Sequence, residues 1–114
     1  MNKRNIILIG MPGAGKSSVG VILAKVLGYE FIDTDLVIQH REKRLLREII
    51  ADEGNEGFLA IENEVNATLE ADKSVIAPGG SAIYGKEAME HFKEIGTIVY
   101  LKLSYGDRGR TSYE

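Results

Sequence analysis

The chain has 114 residues, a net charge of −3 and a balance of 44% hydrophobic to 27% charged residues, which suits one small globular domain. Because positive and negative side chains are interspersed, the composition argues against a general nucleic-acid binder. The absence of cysteine excludes a disulfide framework and a thiolate metal site, and the apolar start is too short for a signal peptide or a membrane span, so we expect a cytoplasmic protein.

Short apolar runs alternate with amphipathic stretches along the whole chain. In chain order, the patterns predict a strand at 5–9, a helix at 16–27, a strand at 29–33, helical patterning over 36–52 that breaks near Gly54, a helix at 57–69, a strand at 74–77, a helix at 86–94 and a strand at 97–103. This alternation predicts a three-layer α/β/α fold with a parallel sheet and right-handed crossovers.

The turn after the first strand carries a complete phosphate-binding motif. Residues 10–17 read GMPGAGKS, which matches G-x-x-x-x-G-K-[ST] between a predicted strand and a predicted helix. The glycines let backbone N–H groups surround an anion, and the following helix adds the positive end of its dipole. Lys16 is expected at the β- and γ-phosphates and Ser17 at Mg²⁺. A glycine turn that merely packs tightly seldom carries Lys-Ser after its last glycine, so we predict a P-loop for a nucleoside triphosphate.

Two carboxylates follow the second strand. Asp33 and Asp35 flank Thr34, and side chains two apart in an extended strand point the same way. If the extended backbone continues to Asp35, both carboxylates face the phosphate site, one at the Mg²⁺ water shell and one at an acceptor hydroxyl. The alternative is that one of the two, Asp35 being the one weighed on its own, is the N-cap of a helix that starts near Leu36.

A glycine turn, PGGS at residues 78–81, follows the third strand. Ligands of parallel sheets bind beyond the C-terminal ends of the strands. The P-loop, the aspartate pair and this glycine turn each follow a strand directly. The sequence therefore predicts that all three meet at one edge of the sheet and form a single site.

At this point the chain resembles the shikimate kinase family, which are P-loop kinases that phosphorylate a small cyclic polyol carboxylate with MgATP. The resemblance covers nearly all of the chain and rests on the loop at 10–18, on FIDTD at 31–35, on GFLAIE at 57–62 and on the glycine turn at 79–80. It implies a five-stranded parallel sheet in the order 2-3-1-4-5, a mobile lid and a monomer.

The resemblance also implies roles for individual residues. Lys16 and Asp35 are implied as catalytic residues, the first at the transferred phosphoryl group and the second as a candidate base for the acceptor hydroxyl. Asp35 is further implied to bind the acceptor together with Gly79 and Gly80. The implied Mg²⁺ residues are Ser17 and Asp33. The residues implied to bind ATP are Gly13, Ala14, Gly15, Lys16, Ser17, Ser18 and Arg110.

Three departures from the family pattern concern the acceptor side. The family has an arginine that grips the acceptor carboxylate where this chain has Leu59, so the matching Glu62 loses its neighbouring cation. The third glycine of the family's turn is Ser81 here, which adds a Cβ and a hydroxyl. The sequence ends at Glu114, before the lid and the fifth strand of the family, so we expect the fourth strand to be an exposed edge that permits self-association.

The leading hypothesis is a single P-loop kinase domain over residues 1–114, incomplete at its C-terminus, that transfers the ATP γ-phosphoryl group to shikimate or a similar acceptor in aromatic amino acid biosynthesis. Two alternatives stay open: a same-fold kinase with a different acceptor, and a nucleotide-binding module without turnover. One of Arg41, Arg44 and Arg47 is a candidate substitute for the lost arginine, although a solvated helix face is the interpretation we favour. We expect a small-molecule partner and neither nucleic acid nor membrane.

Overall fold

The computed structural model of the chain describes residues 4–10, 16–103 and 111–113. Strands and helices alternate within these ranges. In chain order they are β1 (Asn5–Gly10), α1 (Lys16–Leu27), β2 (Glu30–Asp33), α2 (Thr34–Glu42), α3 (Leu46–Ala67), β3 (Ser74–Ala77), a 3₁₀ helix (Gly80–Tyr84), α4 (Lys86–Ile95), β4 (Gly96–Leu103) and β5 (Thr111–Tyr113).

The strands form one sheet in the order β2-β3-β1-β4-β5. β1 lies in the middle, where Ile6 is opposite Val75 of β3 and Thr97 of β4 in parallel register. A central strand of a parallel sheet is covered on both faces, which explains why β1 is a nearly continuous apolar run. The predicted α/β fold and the order 2-3-1-4 of the parallel strands are confirmed.

The core lies in two layers, one on each side of the sheet. Successive side chains of a strand point to opposite faces, so neighbouring residues of β1 contribute to different layers. On the α1 side the buried cluster contains Leu8, Ala24, Val75 and Leu101. On the α4 side it contains Ile7, Ile9, Ile76 and Phe92. A third buried cluster, Ile38, Ile49, Phe58 and Val65, joins α2 to α3.

The helical patterning predicted over residues 36–52 is split in the structure into the end of α2 and the beginning of α3. α2 ends because Lys43 adopts a left-handed conformation, φ 56°, and its N–H bonds the Gln39 carbonyl oxygen. Apolar spacing does not reveal such a C-cap, which glycine or asparagine usually provides. The break predicted near Gly54 is present as a kink within α3, with φ 76°. None of the helices in the described ranges is long and apolar enough to cross a bilayer.

The sheet also differs from the expectation at the β4 side. We expected the family's fifth strand to be absent and β4 to be an exposed edge, but β5 pairs with β4 antiparallel, Leu101 opposite Tyr113. Seven residues, 104–110, separate the two strands. An antiparallel return needs only a short connection, whereas a parallel strand needs a crossover of about a dozen residues or more. The expectation of an uncovered β4 is therefore wrong for residues 101–103, and Leu101 is buried.

The apolar face of α1 is only partly buried. Val19 and Leu23 pack against the core, but Ile22 is 63% exposed and Val26 76% exposed. These side chains line an open apolar groove of about 360 Å³ between α1 and the sheet. The spacing therefore predicted the helix correctly, although a large part of its apolar face remains in contact with solvent.

Asn5 connects three parts of the chain at the start of β1. Its side chain is buried, with only 1% of the residue exposed. Nδ2 donates to the carbonyl oxygens of Ala71 at 3.0 Å and Ile95 at 2.9 Å, and Oδ1 accepts from the Ser74 N–H at 3.0 Å. One amide therefore pairs backbone groups that come from before β3, from β3 itself and from the end of α4.

We expect the Asn5→Ala variant to lower the free energy of unfolding by about 3 kcal/mol, because one buried and two partly buried backbone groups lose their partners at once. Urea denaturation measures this loss. The matched control is Arg4→Ala at the preceding residue, where an exposed ion pair with Asp72 at 2.6 Å is removed. We expect the control to cost less than about 1 kcal/mol. Losses of similar size in the two variants would contradict the role given to Asn5.

Candidate active site

The predicted phosphate-binding turn connects β1 to α1. β1 ends at Gly10 and α1 begins at Lys16, which is the strand–turn–helix context that the motif requires. A Cβ at Gly10 would lie 2.8 Å from the carbonyl oxygen of Leu101, so a glycine is needed here to let β1 pack against β4. Ser17 and Ser18 are exposed in the first turn of α1. Four predicted site residues lie outside the described part of the chain: Gly13, Ala14, Gly15 and Arg110. Lys16 begins α1, but its side chain is outside the described part.

The two aspartates after β2 do not follow the extended geometry that the sequence suggested. α2 begins at Thr34, directly after β2, so Asp35 lies in the first helical turn. Asp33 is the N-cap, with φ −97° and ψ 111°, and its Oδ1 accepts from the Asp35 N–H at 2.9 Å. A carboxylate at this position satisfies a free helical N–H and interacts favourably with the helix dipole. The expectation of an extended Asp33–Thr34–Asp35 segment is wrong. The alternative that one of the two aspartates caps the following helix is confirmed, although the cap is Asp33 and the helix begins at Thr34.

The structure brings Asp35 and the glycine turn together, as the strand-end rule suggested. A Cβ added at Gly79 would lie 2.8 Å from Asp35 Oδ1 and 3.2 Å from Glu62 Oε2. Any side chain at Gly79 would therefore displace the carboxylate of Asp35. Gly80, the next residue, begins the 3₁₀ helix and is exposed.

Glu62, which the sequence analysis matched to a family glutamate but gave no role in the site, is a buried carboxyl group here. It projects from α3, and only 2% of the residue is exposed. Ser81 Oγ donates a hydrogen bond to Glu62 Oε1 at 2.8 Å, whereas Glu62 Oε2 has no partner among the described residues. Burial raises the pKa of Glu62 above its usual range, and the negative charge of Asp35 raises it further, while the Ser81 hydrogen bond opposes both.

Besides its match to the family glutamate, Glu62 had one signal in the spacing of the residues themselves. It lies four residues after Phe58 and three before Val65, which are both buried, so a carboxyl group was placed on the apolar stripe of a predicted helix. A carboxyl group at such a position is usually paired. The hydrogen bond from Ser81 had no comparable signal, because it depends on how the 3₁₀ helix packs against α3.

Two of the three arginines considered as substitutes for the lost arginine are bound elsewhere. Arg41 pairs with Glu64 at 2.5 Å. Arg44 pairs with Glu42 at 3.0 Å and with Asp52 at 3.1 Å. Leu59, which stands at the family's arginine position, lines a shallow pocket of about 290 Å³ together with Ser81. The favoured interpretation of a solvated helix face fits Arg41, whose side chain is exposed and paired with Glu64.

No group of three or more acidic or histidine side chains within the described ranges converges on a common point that would suit a metal ion. Mg²⁺ in kinases binds through only one or two protein groups, with waters and phosphate oxygens completing its shell. The exposed hydroxyl of Ser17 and the half-buried carboxylate of Asp33 suit that kind of binding. Their roles as Mg²⁺ residues stay predictions.

We expect the Glu62→Gln variant to flatten the dependence of stability on pH. Below the ordinary carboxyl pKa of 4.5, Glu62 is protonated in both the folded and the unfolded state. As pH rises through the raised pKa of the folded state, the unfolded chain ionises more easily, so wild type loses stability that the glutamine variant keeps. Urea denaturation from about pH 4 to 8 measures both curves. Glu64→Gln, at an exposed position on the same helix, is the control, and parallel curves for wild type and Glu62→Gln would contradict the prediction.

Comparison with known proteins gives consistent results. A family model described as shikimate kinase matches residues 12–107. The chain is 39% identical over 101 residues to shikimate kinase 2 of Yersinia enterocolitica. It is 37% identical over the same length to shikimate kinase 2 of Yersinia pseudotuberculosis. Both matches cover 89% of this chain and 58% of the relative.

Solved structures give the same family. A shikimate kinase from Acinetobacter baumannii in complex with shikimate matches with a TM-score of 0.76 and 37% identity, covering 84% of this chain and 54% of that one. A shikimate kinase from Aquifex aeolicus matches with a TM-score of 0.76 and 32% identity, covering 90% and 62%. The chain thus spans less than two thirds of the length of these relatives and structures.

Proposed function

The chain belongs to the shikimate kinase family, and we propose that it transfers the γ-phosphoryl group of ATP to a hydroxyl of shikimate or a similar small acceptor. The main support from the geometry is that the Asp35 carboxylate lies 2.8 Å from the position a Cβ would take at Gly79. Both residues follow strands at the same edge of the sheet as the end of β1 and the start of α1. The relative from Acinetobacter baumannii, whose structure contains shikimate, supports this acceptor.

On the acceptor side, Asp35 is the proposed base. A carboxylate within hydrogen-bond distance of a hydroxyl orients it and accepts its proton as the phosphoryl group is transferred. The first turn of α2 fixes the position of Asp35, because Asp33 caps that turn. Gly79 brings the backbone close to the carboxylate, so the acceptor is proposed to lie against Gly79 and Gly80.

On the phosphate side, the backbone of the turn at residues 11–15 and the first turn of α1 are proposed to bind the phosphates. Lys16 neutralises charge on the transferred group, and Ser17 and Asp33 hold Mg²⁺ and its water shell. When bound, the ion would supply charge stabilisation to the transferred phosphoryl group. Gly13, Ala14, Gly15, Ser18 and Arg110 complete the proposed ATP site.

The wider proposals follow from this activity. We propose one P-loop kinase domain over residues 1–114, with a small-molecule acceptor as its partner, acting as a monomer without nucleic acid or membrane. Because ATP is available in the cytoplasm, we propose that location. The product of shikimate phosphorylation would serve aromatic amino acid biosynthesis.

The direct test is ADP release from ATP and Mg²⁺, measured with and without shikimate. We expect release that depends on shikimate and yields a phosphate ester detectable by ³¹P NMR. ATP binding with no shikimate-dependent release would contradict shikimate as the acceptor. If other polyols also failed to stimulate release, the nucleotide-binding module without turnover would be the better explanation.

A second candidate is a kinase of the same fold with a different acceptor. Leu59 favours it, because leucine offers no hydrogen-bond donor to an acceptor carboxylate where the family has an arginine. A panel of polyols with and without a carboxylate separates the candidates. A higher kcat/KM for the uncharged polyols would favour the second one, whereas a higher value for shikimate would favour the first.

A further inference from the structure

We propose that Lys86, the first residue of α4, binds the anionic group of a polyol acid acceptor and thereby selects acceptors that carry a carboxylate. This inference rests on the proposed kinase function and narrows its substrate class. The acceptor would need a hydroxyl that faces Asp35 and an anionic substituent on the other side of the molecule. An uncharged polyol would lack the second contact.

The pocket beside Leu59 joins the glycine turn to the start of α4. It has a volume of about 290 Å³, and its walls come from α3, the 3₁₀ helix and the first turn of α4. Ser81, which directly follows the turn at residues 79–80, lines this pocket together with Lys86. A 3₁₀ helix rises by about 2 Å per residue, so Ser81 and Tyr84 lie about 6 Å apart along it. That is the length scale of a small cyclic acid, so one acceptor at the glycine turn can also reach Lys86.

The charges around the acceptor position determine how a polyol acid would be oriented. The carboxylate of Asp35 lies 2.8 Å from the Cβ position that Gly79 lacks, so an acceptor carboxylate there would be repelled. Among the described residues that line the pocket, Lys86 is the only cation. Leu59, on the α3 wall, has no hydrogen-bond donor in its side chain. The acceptor carboxylate is therefore expected at Lys86, away from Asp35.

The ammonium group of Lys86 is available for an anionic ligand. Lys86 is exposed, and none of the carboxylates in the described ranges forms an ion pair with it, in contrast to those beside Arg41 and Arg44. Glu87 follows Lys86 in the chain, but Glu87 Oε1 accepts a hydrogen bond from Asn63 Nδ2 at 2.9 Å. This bond, more than the charge of Lys86, lowers the pKa of Glu87. Lys86 thus offers a positive charge that the described part of the fold does not use.

The start of α4, which carries Lys86, is fixed to α3 by one side chain. Asn63 Oδ1 accepts from the Ala88 N–H at 3.0 Å, and Asn63 Nδ2 donates to Glu87. A Cβ at Gly85 would collide with Asn63 Oδ1, so a larger residue directly before the helix would disturb this cap. Because these contacts hold the backbone at Lys86, an anion that binds there restricts only the lysine side chain.

A lysine at this position recognises charge more than shape. Its ammonium group is a compact point charge, whereas an arginine binds a carboxylate through two parallel hydrogen bonds. Because Lys86 is exposed, added salt screens its attraction for an anion. We therefore expect the preference for an anionic acceptor to depend strongly on ionic strength.

The test measures binding and needs no turnover. Shikimate and its uncharged methyl ester are titrated calorimetrically, in the presence of MgADP, into wild type, Lys86→Met and Lys86→Arg. We expect Lys86→Met to weaken shikimate binding by about 10-fold and to leave binding of the ester unchanged, because only shikimate carries the charge. Lys86→Arg keeps the cation and should bind both ligands as wild type does.

Three controls separate the role of Lys86 from a general effect of charge. Lys93→Met removes an exposed lysine from the last turn of the same helix and should bind both ligands as wild type does. Raising NaCl from about 0.05 to 0.5 M should reduce the preference of wild type for shikimate over its ester, with less effect on Lys86→Met. In the Lys86→Met chain, Leu59→Arg places a cation on the α3 wall of the same pocket and should restore that preference.

The inference is overturned if Lys86→Met binds shikimate as wild type does, if it weakens shikimate and the ester by the same factor, if Leu59→Arg restores no preference, or if neither ligand binds wild type. ADP release by the same proteins tells its failure apart from failure of the proposed function. A selective loss of shikimate affinity in Lys86→Met, without ATP turnover in wild type, would refute the kinase and keep the anion contact. Shikimate-dependent turnover that Lys86→Met leaves unchanged at every shikimate concentration would keep the kinase and refute the role of Lys86.

Discussion

The Asp35→Asn variant is expected to reduce kcat for phosphoryl transfer to the acceptor by about 10²- to 10⁴-fold, the range typical of a lost general base. Asparagine keeps the size of the side chain and its position in the first turn of α2. It cannot accept the acceptor's proton, so the chemical step is affected most. The KM for ATP should change little, because Asp35 lies on the acceptor side of the proposed site.

Two measurements accompany this variant. Steady-state kinetics give kcat and both KM values, and thermal unfolding shows whether the fold is intact. Asp72→Asn is a matched control. Asp72 is an exposed aspartate that pairs with Arg4 and is not among the proposed site residues. If Asp35→Asn kept most of its kcat, Asp35 would be an acceptor-binding residue and not the base.

The Lys16→Ala variant is expected to reduce kcat by about 10²- to 10³-fold, as loss of one group that stabilises transition-state charge does in other enzymes. Lys16 is the lysine of the complete phosphate-binding motif, and α1 begins at this residue. Its ammonium group is proposed to neutralise negative charge that develops on the phosphoryl oxygens, a task that backbone N–H groups cannot perform alone.

The assay for Lys16→Ala is the same shikimate-dependent ADP release, run at saturating ATP. Lys25→Ala provides a control in the last turn of the same helix, where the lysine is exposed and distant from the phosphate turn. We expect the control to keep wild-type kcat. A Lys16→Ala variant with wild-type kcat would show that this motif does not act in phosphoryl transfer.

The strands were the part of the fold most readily predicted from sequence. β3 has the predicted bounds, residues 74–77, and β1 and β4 differ from prediction by one residue at one end. Such agreement is expected for strands of a parallel sheet, because burial on both faces produces uninterrupted apolar runs. The end of α2 and the position of β5 were not predictable in this way. The first depends on a lysine in a left-handed conformation, and the second on pairing with β4, which local sequence does not encode.

The sequence predicted only the part of the site whose residues come directly after strands. The proximity of Asp35 to Gly79 follows from that rule, since both residues come shortly after neighbouring parallel strands. The contact between Glu62 and Ser81 joins a helix to a 3₁₀ helix nineteen residues later. In the sequence, Leu59 and Ser81 were two separate departures from the family pattern. In the structure, the serine supplies a hydrogen bond to the same glutamate that lacks its arginine.

The cap at the start of α2 has a consequence for the entropy of ligand binding. A free aspartate side chain samples several rotamers, and a ligand that fixes one of them must overcome that loss of freedom. Asp33 is already held by its bond to the Asp35 N–H at 2.9 Å. Its conformational freedom is therefore lost during folding, before the proposed Mg²⁺ arrives. The same bond links the first turn of α2 to the Asp33 carboxylate at the end of β2, so the two are preorganised together.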